Sequence, residues 1–179
     1  NVLLRSSAKK EDDIWVTGEL GLAALGLAKL QSKIQLPQGL SKKAIGALEK
    51  PMLHSSIIQS MARLSHSAID ISDGLIADLT HILEASKLGA NITLKNIPMN
   101  PWIKKNKLFD IGLSGGDDYQ LLFTAPKKNR DKITLASKMS AVRLARIGSI
   151  KKDMSLNITD HKGMLYKLKK RGYDHFEAK

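Results

Sequence analysis

Cysteine is absent from all 179 residues, which at once removes disulfides, thiolate zinc sites, iron–sulfur clusters and cysteine nucleophiles. Aromatic residues are nearly as scarce, at 4%, so a core has to be built from leucine, isoleucine, alanine and methionine. No apolar run approaches the roughly 20 residues needed to cross a bilayer, and no signal-peptide pattern is present; the expectation is a cytoplasmic protein with no membrane partner. Acidic residues are the minority, 17 Asp plus Glu against 29 Lys plus Arg, for a formal net charge of +12. That excess favours encounter with anions, and phosphorylated metabolites or plain solubility account for it as well as nucleic acid does. The lysines are scattered and do not interleave with aromatic rings in the manner of a base-stacking surface, so no nucleic-acid partner is expected.

A hydrophobic fraction of 42% and this length suit one domain with a sizeable core. The opening Asn1-Val2-Leu3-Leu4-Arg5 has strand character and no initiator methionine, and reads as a chain cut within a larger protein. Ile14 to Thr17 predicts a strand, and Leu22 to Leu30 a helix rich in alanine and leucine. Further helices are expected over Ser41 to Lys50, ending before Pro51, and over Ser55 to Leu64. Ile69 and Ile71 alternate with Asp70 and Ser72, the period of a strand, whereas Leu75, Ile76, Leu79, Ile82 and Leu83 return to a helical face. Strands are expected at Asn91 to Leu94, Tyr119 to Thr124 and Val142 to Ile150, with a helix from Asp131 to Met139. Ile97 to Asn106, which holds Pro98 and Pro101, is expected to be irregular, and Ile158 to Leu168 to be a hairpin turning through Asp160 to Gly163. Mixed helices and strands with short linkers predict an α+β domain, a mixed β-sheet covered by helices.

The change of period places Asp70, Ser72 and Asp73 at a strand-to-helix junction. Carboxylate oxygens there can hold Mg²⁺ while a hydroxyl and free helix N–H groups meet phosphate oxygens; carboxylates alone would repel phosphate, so this reading requires a divalent cation. The alternative is that Ser72 or Asp73 caps the following helix. Asp78 is placed on the exposed, solvated face of that helix. A second acidic turn, Ser114-Gly115-Gly116-Asp117-Asp118-Tyr119, is either a ligand-recognition loop or structural punctuation before a strand. No dinucleotide fingerprint, P-loop, nucleophile elbow or short histidine metal motif occurs. His66 and His81 are expected at helix surfaces or caps. Arg5 is a possible phosphate contact, and Phe176 in Gly172-Tyr173-Asp174-His175-Phe176 is either a tail anchor or a cover for a ligand.

Taken together, Leu4-Arg5-Ser6-Ser7-Ala8, Val16-Thr17-Gly18-Glu19-Leu20-Gly21, Ala68 to Leu75 with Asp78-Leu79, Ser114 to Leu122 and Gly172 to Phe176 resemble, in order, the C-terminal half of the thiamine-monophosphate kinases. That family belongs to the superfamily that includes aminoimidazole ribonucleotide synthetase. The resemblance implies that residues 1–179 are a C-terminal domain whose N-terminal nucleotide- and metal-binding domain lies outside this chain. It implies ATP and thiamine monophosphate as ligands, a homodimeric intact protein, and little phosphoryl transfer by this piece alone. It makes Arg5 an ATP contact with Ser72 near the nucleotide, Asp70 and Asp73 the catalytic Mg²⁺ ligands, and Asp117 and Phe176 substrate contacts. A sibling ATP-dependent synthetase acting on another small acceptor, and a non-catalytic ligand-binding or interaction domain, are the competing readings. Three stretches depart from the family pattern. Ser7 stands where glycine is usual. Gly116-Asp117-Asp118-Tyr119-Gln120 replaces Gly-Glu-Asp-Tyr-Glu, and Pro51-Met52-Leu53-His54 replaces Pro-x-Pro-Arg.

Overall fold

The structure, a computed structural model, describes residues 3–168. Six strands form one sheet in the order β2-β4-β1-β5-β3-β6, with β1 at Asp13–Thr17, β2 at Ser67–Ile71, β3 at Gly89–Thr93, β4 at Gln120–Ala125, β5 at Leu144–Lys151 and β6 at Leu156–Thr159. All pairings are antiparallel except β3 with β6, so the expected mixed sheet is observed. β1 is central and buried at all five positions. β2 is an edge strand, paired with β4 alone in register Asp70↔Leu121.

Alternation along the strands divides the core in two. Ile14, Val16, Ile69, Ile71 and Leu122 join Leu25 of α1 (Leu22–Leu30) and Leu75, Leu79 and Ile82 of α4 (Leu75–Ser86) on one face. Trp15 and Phe123 turn to the other, against Ile57 and Met61 of α3 (Ser55–Leu64) and Ile133 of α7 (Arg130–Ser140). Two of the few aromatics, Trp15 and Phe123, therefore stack inside the smaller cluster, with ring centroids 6.4 Å apart. α2 (Gln38–Glu49) packs on α1.

The predicted helices over 22–30 and 55–64 are observed with those limits. Three expectations fail. Leu3 and Leu4 carry no strand, and Arg5–Ser7 is a single 3-10 turn held against α4 by Ser86, whose hydroxyl donates to the Arg5 carbonyl. The stretch expected to be irregular contains α5 (Pro101–Lys105), because Asn100 accepts from Trp102 N and Pro101 supplies the first helical residue. α6 (Phe109–Ser114) follows with no expectation behind it. Beyond β6 the chain turns at Asp160, which accepts from the N–H groups of Lys162 and Met164, and returns as a single Thr159↔Leu165 bridge rather than a full hairpin.

Because β1 and β2 both run antiparallel to the β4 strand between them, the ends of β1 and β2 and the start of β4 lie at one end of the sheet. Three loops meet there: Gly18 to Gly21, Ser72 to Gly74, and Gly115 to Tyr119.

Candidate functional site

The two acidic turns are joined backbone to backbone. Asp117 N–H donates to the Ser72 carbonyl at 2.8 Å, and Tyr119 N–H to the Ile71 carbonyl at 2.8 Å, so the β2–β4 ladder runs on past the strand ends. The close approach needs glycine. A Cβ on Gly116 would lie 2.4 Å from the Ser72 carbonyl oxygen, and one on Gly74, whose φ is +110°, would lie 2.8 Å from Ser114 C. We expect Gly116→Ala to push the turns apart by about 1 Å, at a stability cost of roughly 1–3 kcal/mol and a far larger proportional loss of any activity that needs both turns. Denaturant unfolding beside a turnover assay checks this, and equal losses in both would contradict a joint role.

Asp78 organises the first turn. Its Oδ2 accepts from both Ser72 N–H and Asp73 N–H, each at 3.1 Å. Neither Ser72 nor Asp73 caps α4 with its side chain; Asp78 reaches back from inside the helix instead. This overturns two expectations. Asp78 is 1% exposed rather than solvated, and the residue whose side chain serves the turn before the helix is Asp78 rather than Ser72 or Asp73. Burial, together with the neighbouring Asp73 charge, pushes the Asp78 carboxyl up to about 6, against the pull of those two N–H donors and His81.

Asp73, Asp78 and His81 offer ligand atoms that all lie within 4.8 Å of one another, a spacing and donor set that suit one divalent cation. His81 is exposed on the next turn of α4, whereas His66, at the start of β2, pairs with buried Asp12 at 2.9 Å. Asp70 stands outside that group. It is exposed on β2 and lines a cleft of about 540 Å³ with Leu4, Arg5 and Ser6 of the 3-10 segment and Ala85 of α4. The strand ends at Ile71, so Ser72 lies in the bend and does not share an extended face with Asp70. The structure thus groups Arg5 with Asp70 along the sheet edge, and Asp73 with Ser72 and the Asp117 turn at the sheet end. Phe176 lies outside the described residues.

Asp118, the second carboxylate of the Asp117 turn, fixes the Gly21 end of the Gly18–Gly21 loop. Its Oδ2 accepts from Gly21 N–H at 2.6 Å and its Oδ1 from Ala23 N–H at 3.3 Å, so a residue some hundred positions away caps α1. Burial, with the adjacent Asp117 charge, raises this carboxyl to about 7 despite those donors. Asp117 itself adopts φ +66°. Its left-handed backbone sends the two neighbouring carboxylates different ways, Asp118 into the buried cap and Asp117 to a half-exposed position.

Comparison with known proteins follows the same lines. A thiamine-monophosphate kinase of Buchnera aphidicola is 39% identical over 188 aligned residues, which cover 98% of this chain and 56% of that protein. The crystal structure of thiamine-monophosphate kinase from Stenotrophomonas maltophilia superposes with a TM-score of 0.79 at 31% identity, over 87% of this chain and 52% of that one. AaThiL complexed with AMPPCP and TMP superposes equally well, at 0.79 and 25% identity, over 97% of this chain and 54% of that one. The chain spans about half the length of the relatives it matches. Residues 9–161 match the AIR synthase related protein C-terminal domain, and the chain belongs to that family.

Proposed function

We propose that this chain is the C-terminal half of an enzyme that transfers the γ-phosphoryl group of ATP to thiamine monophosphate, giving ADP and thiamine diphosphate. The observation that carries the reading is the backbone union of the Ser72–Gly74 and Gly115–Tyr119 turns, which brings two acidic loops to one end of the sheet. The names of the relatives, and a structural neighbour complexed with AMPPCP and TMP, support the substrate pair.

In this reading an oxygen of the substrate phosphate attacks the γ-phosphorus in line, the bond to the β-phosphate oxygen breaks, and ADP departs with that electron pair. The accepting phosphate is already largely ionised near neutral pH, so no side-chain base is needed; alignment and charge compensation do the work. Arg5 would contact ATP phosphate from the cleft it shares with Asp70, with Ser72 beside the nucleotide. Asp73, with Asp78 beside it, and Asp70 in the separate cleft would each hold Mg²⁺, which when bound neutralises the meeting phosphates. Asp117 and Phe176 would contact thiamine monophosphate. The intact protein would be a cytoplasmic homodimer that binds no nucleic acid.

The test is a coupled product assay on the full-length protein with ATP, Mg²⁺ and thiamine monophosphate. Thiamine diphosphate is the expected product; ADP formed only with some other acceptor would move the assignment to a sibling synthetase. Asp117→Asn should raise KM for thiamine monophosphate about tenfold, the scale of one charge-assisted hydrogen bond, with KM for ATP within twofold. The reverse pattern would remove Asp117 from the substrate site.

A further inference from the structure

Two of the departures from the family pattern touch each other. His54, where the pattern has arginine, and Gln120, where it has glutamate, are 66 positions apart, yet His54 Nε2 lies 2.9 Å from Gln120 Oε1. Gln120 is 7% exposed and every polar atom of its amide is engaged. Thr17 Oγ1 donates to the same Oε1 at 2.9 Å, and Gln120 Nε2 donates to the Asp118 carbonyl at 3.2 Å. Thr17 in turn accepts from Leu121 N–H at 2.8 Å. The amide lies against the Gly18 backbone, where a Cβ would fall 2.1 Å from Oε1. The side chain therefore clasps the end of β1, the loop before α3 and the peptide joining Asp118 to Tyr119. It does so beside a turn that holds two non-glycine residues, Asp117 at φ +66° and Tyr119 at φ +48°, in the left-handed region, a conformation that costs energy unless the surroundings enforce it.

We propose that Gln120 is a positioning residue for the Asp117 turn and that His54 is its matched partner. The two form a hydrogen-bonded pair through Oε1, so that each residue is right only in the presence of the other. A glutamate at 120 beside His54 loses the amide donor and sets a carboxylate oxygen against the Asp118 carbonyl. An arginine at 54 gives that carboxylate a fixed cation. With Gln120 retained, the arginine instead brings a charge that the neutral amide does not answer. The role concerns thiamine monophosphate through Asp117 and so rests on the function proposed above, although the geometry of the turn does not.

The experiment is a double-mutant cycle in the full-length protein with Gln120→Glu, His54→Arg and the pair, and with His54→Ala as a milder probe should Gln120→Glu fold poorly. Steady-state kinetics and amide hydrogen exchange at Asp117 and Tyr119 are read together. Each single variant should raise KM for thiamine monophosphate on the order of tenfold, the effect of one or two hydrogen bonds, with kcat and KM for ATP within about threefold. The Asp117 and Tyr119 amides should exchange faster in step. The double variant should recover part of both readouts, since the arginine answers the carboxylate charge but does not replace the Gln120 Nε2 bond to the Asp118 carbonyl. Additive effects across the cycle, or unchanged exchange at Asp117 and Tyr119 in every variant including His54→Ala, would overturn the pairing. If the parent forms no thiamine diphosphate while the exchange cycle is still strongly non-additive, the function proposed above fails and the positioning role stands; if the parent is active and the cycle additive, the opposite holds.

Discussion

Asp73→Asn in the full-length protein should lower turnover at limiting Mg²⁺ by about a hundredfold or more while leaving the unfolding midpoint almost unchanged. The two halves of that expectation come from different atoms of one residue. The structural contact of Asp73 is made by its backbone N–H, which donates to Asp78 Oδ2, and asparagine keeps that N–H. Its carboxylate instead faces the group formed with Asp78 and His81. Asparagine there offers one neutral carbonyl oxygen in place of a charged pair. Loss of an outer partner of a metal ligand typically costs 10–100-fold in metal affinity or activity, so loss of a ligand's own charge should reach at least the upper end. Extra Mg²⁺ should recover part of the activity, since the defect is one of occupancy. Asp78→Asn makes the contrast. Its carboxylate is engaged by Ser72 N–H and Asp73 N–H, so it should lose stability along with activity. Turnover of Asp73→Asn that stays at the parent level in limiting Mg²⁺ would remove Asp73 from the metal site.

Why Asp73 was legible and Asp78 was not is a matter of period. The switch from alternation at Ile69 and Ile71 to a helical stripe beginning at Leu75 is local, and it put Asp70 to Asp73 at the junction where they are found. The expectation that puts Asp78 on the exposed face of the helix misplaces it: it follows Leu75 by three positions and precedes Ile82 by four, in the middle of the stripe that the core buries. A carboxylate on an apolar stripe has to be paired, and that signal was present in the sequence. Asp118 has no such signature, because Tyr119, between it and β4, is left-handed at φ +48° and breaks the alternation before it reaches Asp118. Pro98 and Pro101 point to an irregular stretch, but a capping residue followed by proline, here Asn100-Pro101, also opens a helix, as it does for α5. What no local pattern carries is strand order. That β1 and β2 flank β4, and so bring Gly21, Ser72 and Asp118 to one end of the sheet, follows from long-range pairing, as does the meeting of His54 with Gln120. The motifs could name the residues, but only the topology brings them together.

Asp118→Ala should destabilise the protein by roughly 2–4 kcal/mol at neutral pH, on the basis of about 1–3 kcal/mol for each buried donor left without an acceptor. The donors are Gly21 N–H and Ala23 N–H at the start of α1, and no other cap is made by Gly21 itself. Water can reach neither easily, since Leu22 and Ala23 are buried. The same carboxyl also predicts a pH dependence whose sign can be fixed. Burial raises its folded-state pKa to about 7, well above the 3.8 of an exposed aspartate, so the folded protein keeps this proton over a range in which the unfolded chain has lost it. The resulting contribution to stability is complete below about pH 4, declines as pH rises, and is gone above about pH 7. The parent should therefore lose stability between about pH 4 and pH 7 by an increment that Asp118→Ala lacks, and the gap between the two proteins should be widest at the acid end. Denaturant midpoints of both proteins across that range are the measurement. Parallel curves would mean that Asp118 is ionised throughout, and that the N–H groups of Gly21 and Ala23 outweigh the burial of the charge. The functional consequence runs through the adjoining residue. A loosened Asp118 frees the start of α1 and the Gly21 end of its loop from the Asp117 turn, so thiamine monophosphate recognition should weaken even where the Asp73 group is intact. An unfolding defect with no change in KM for that substrate would confine Asp118 to the helix cap.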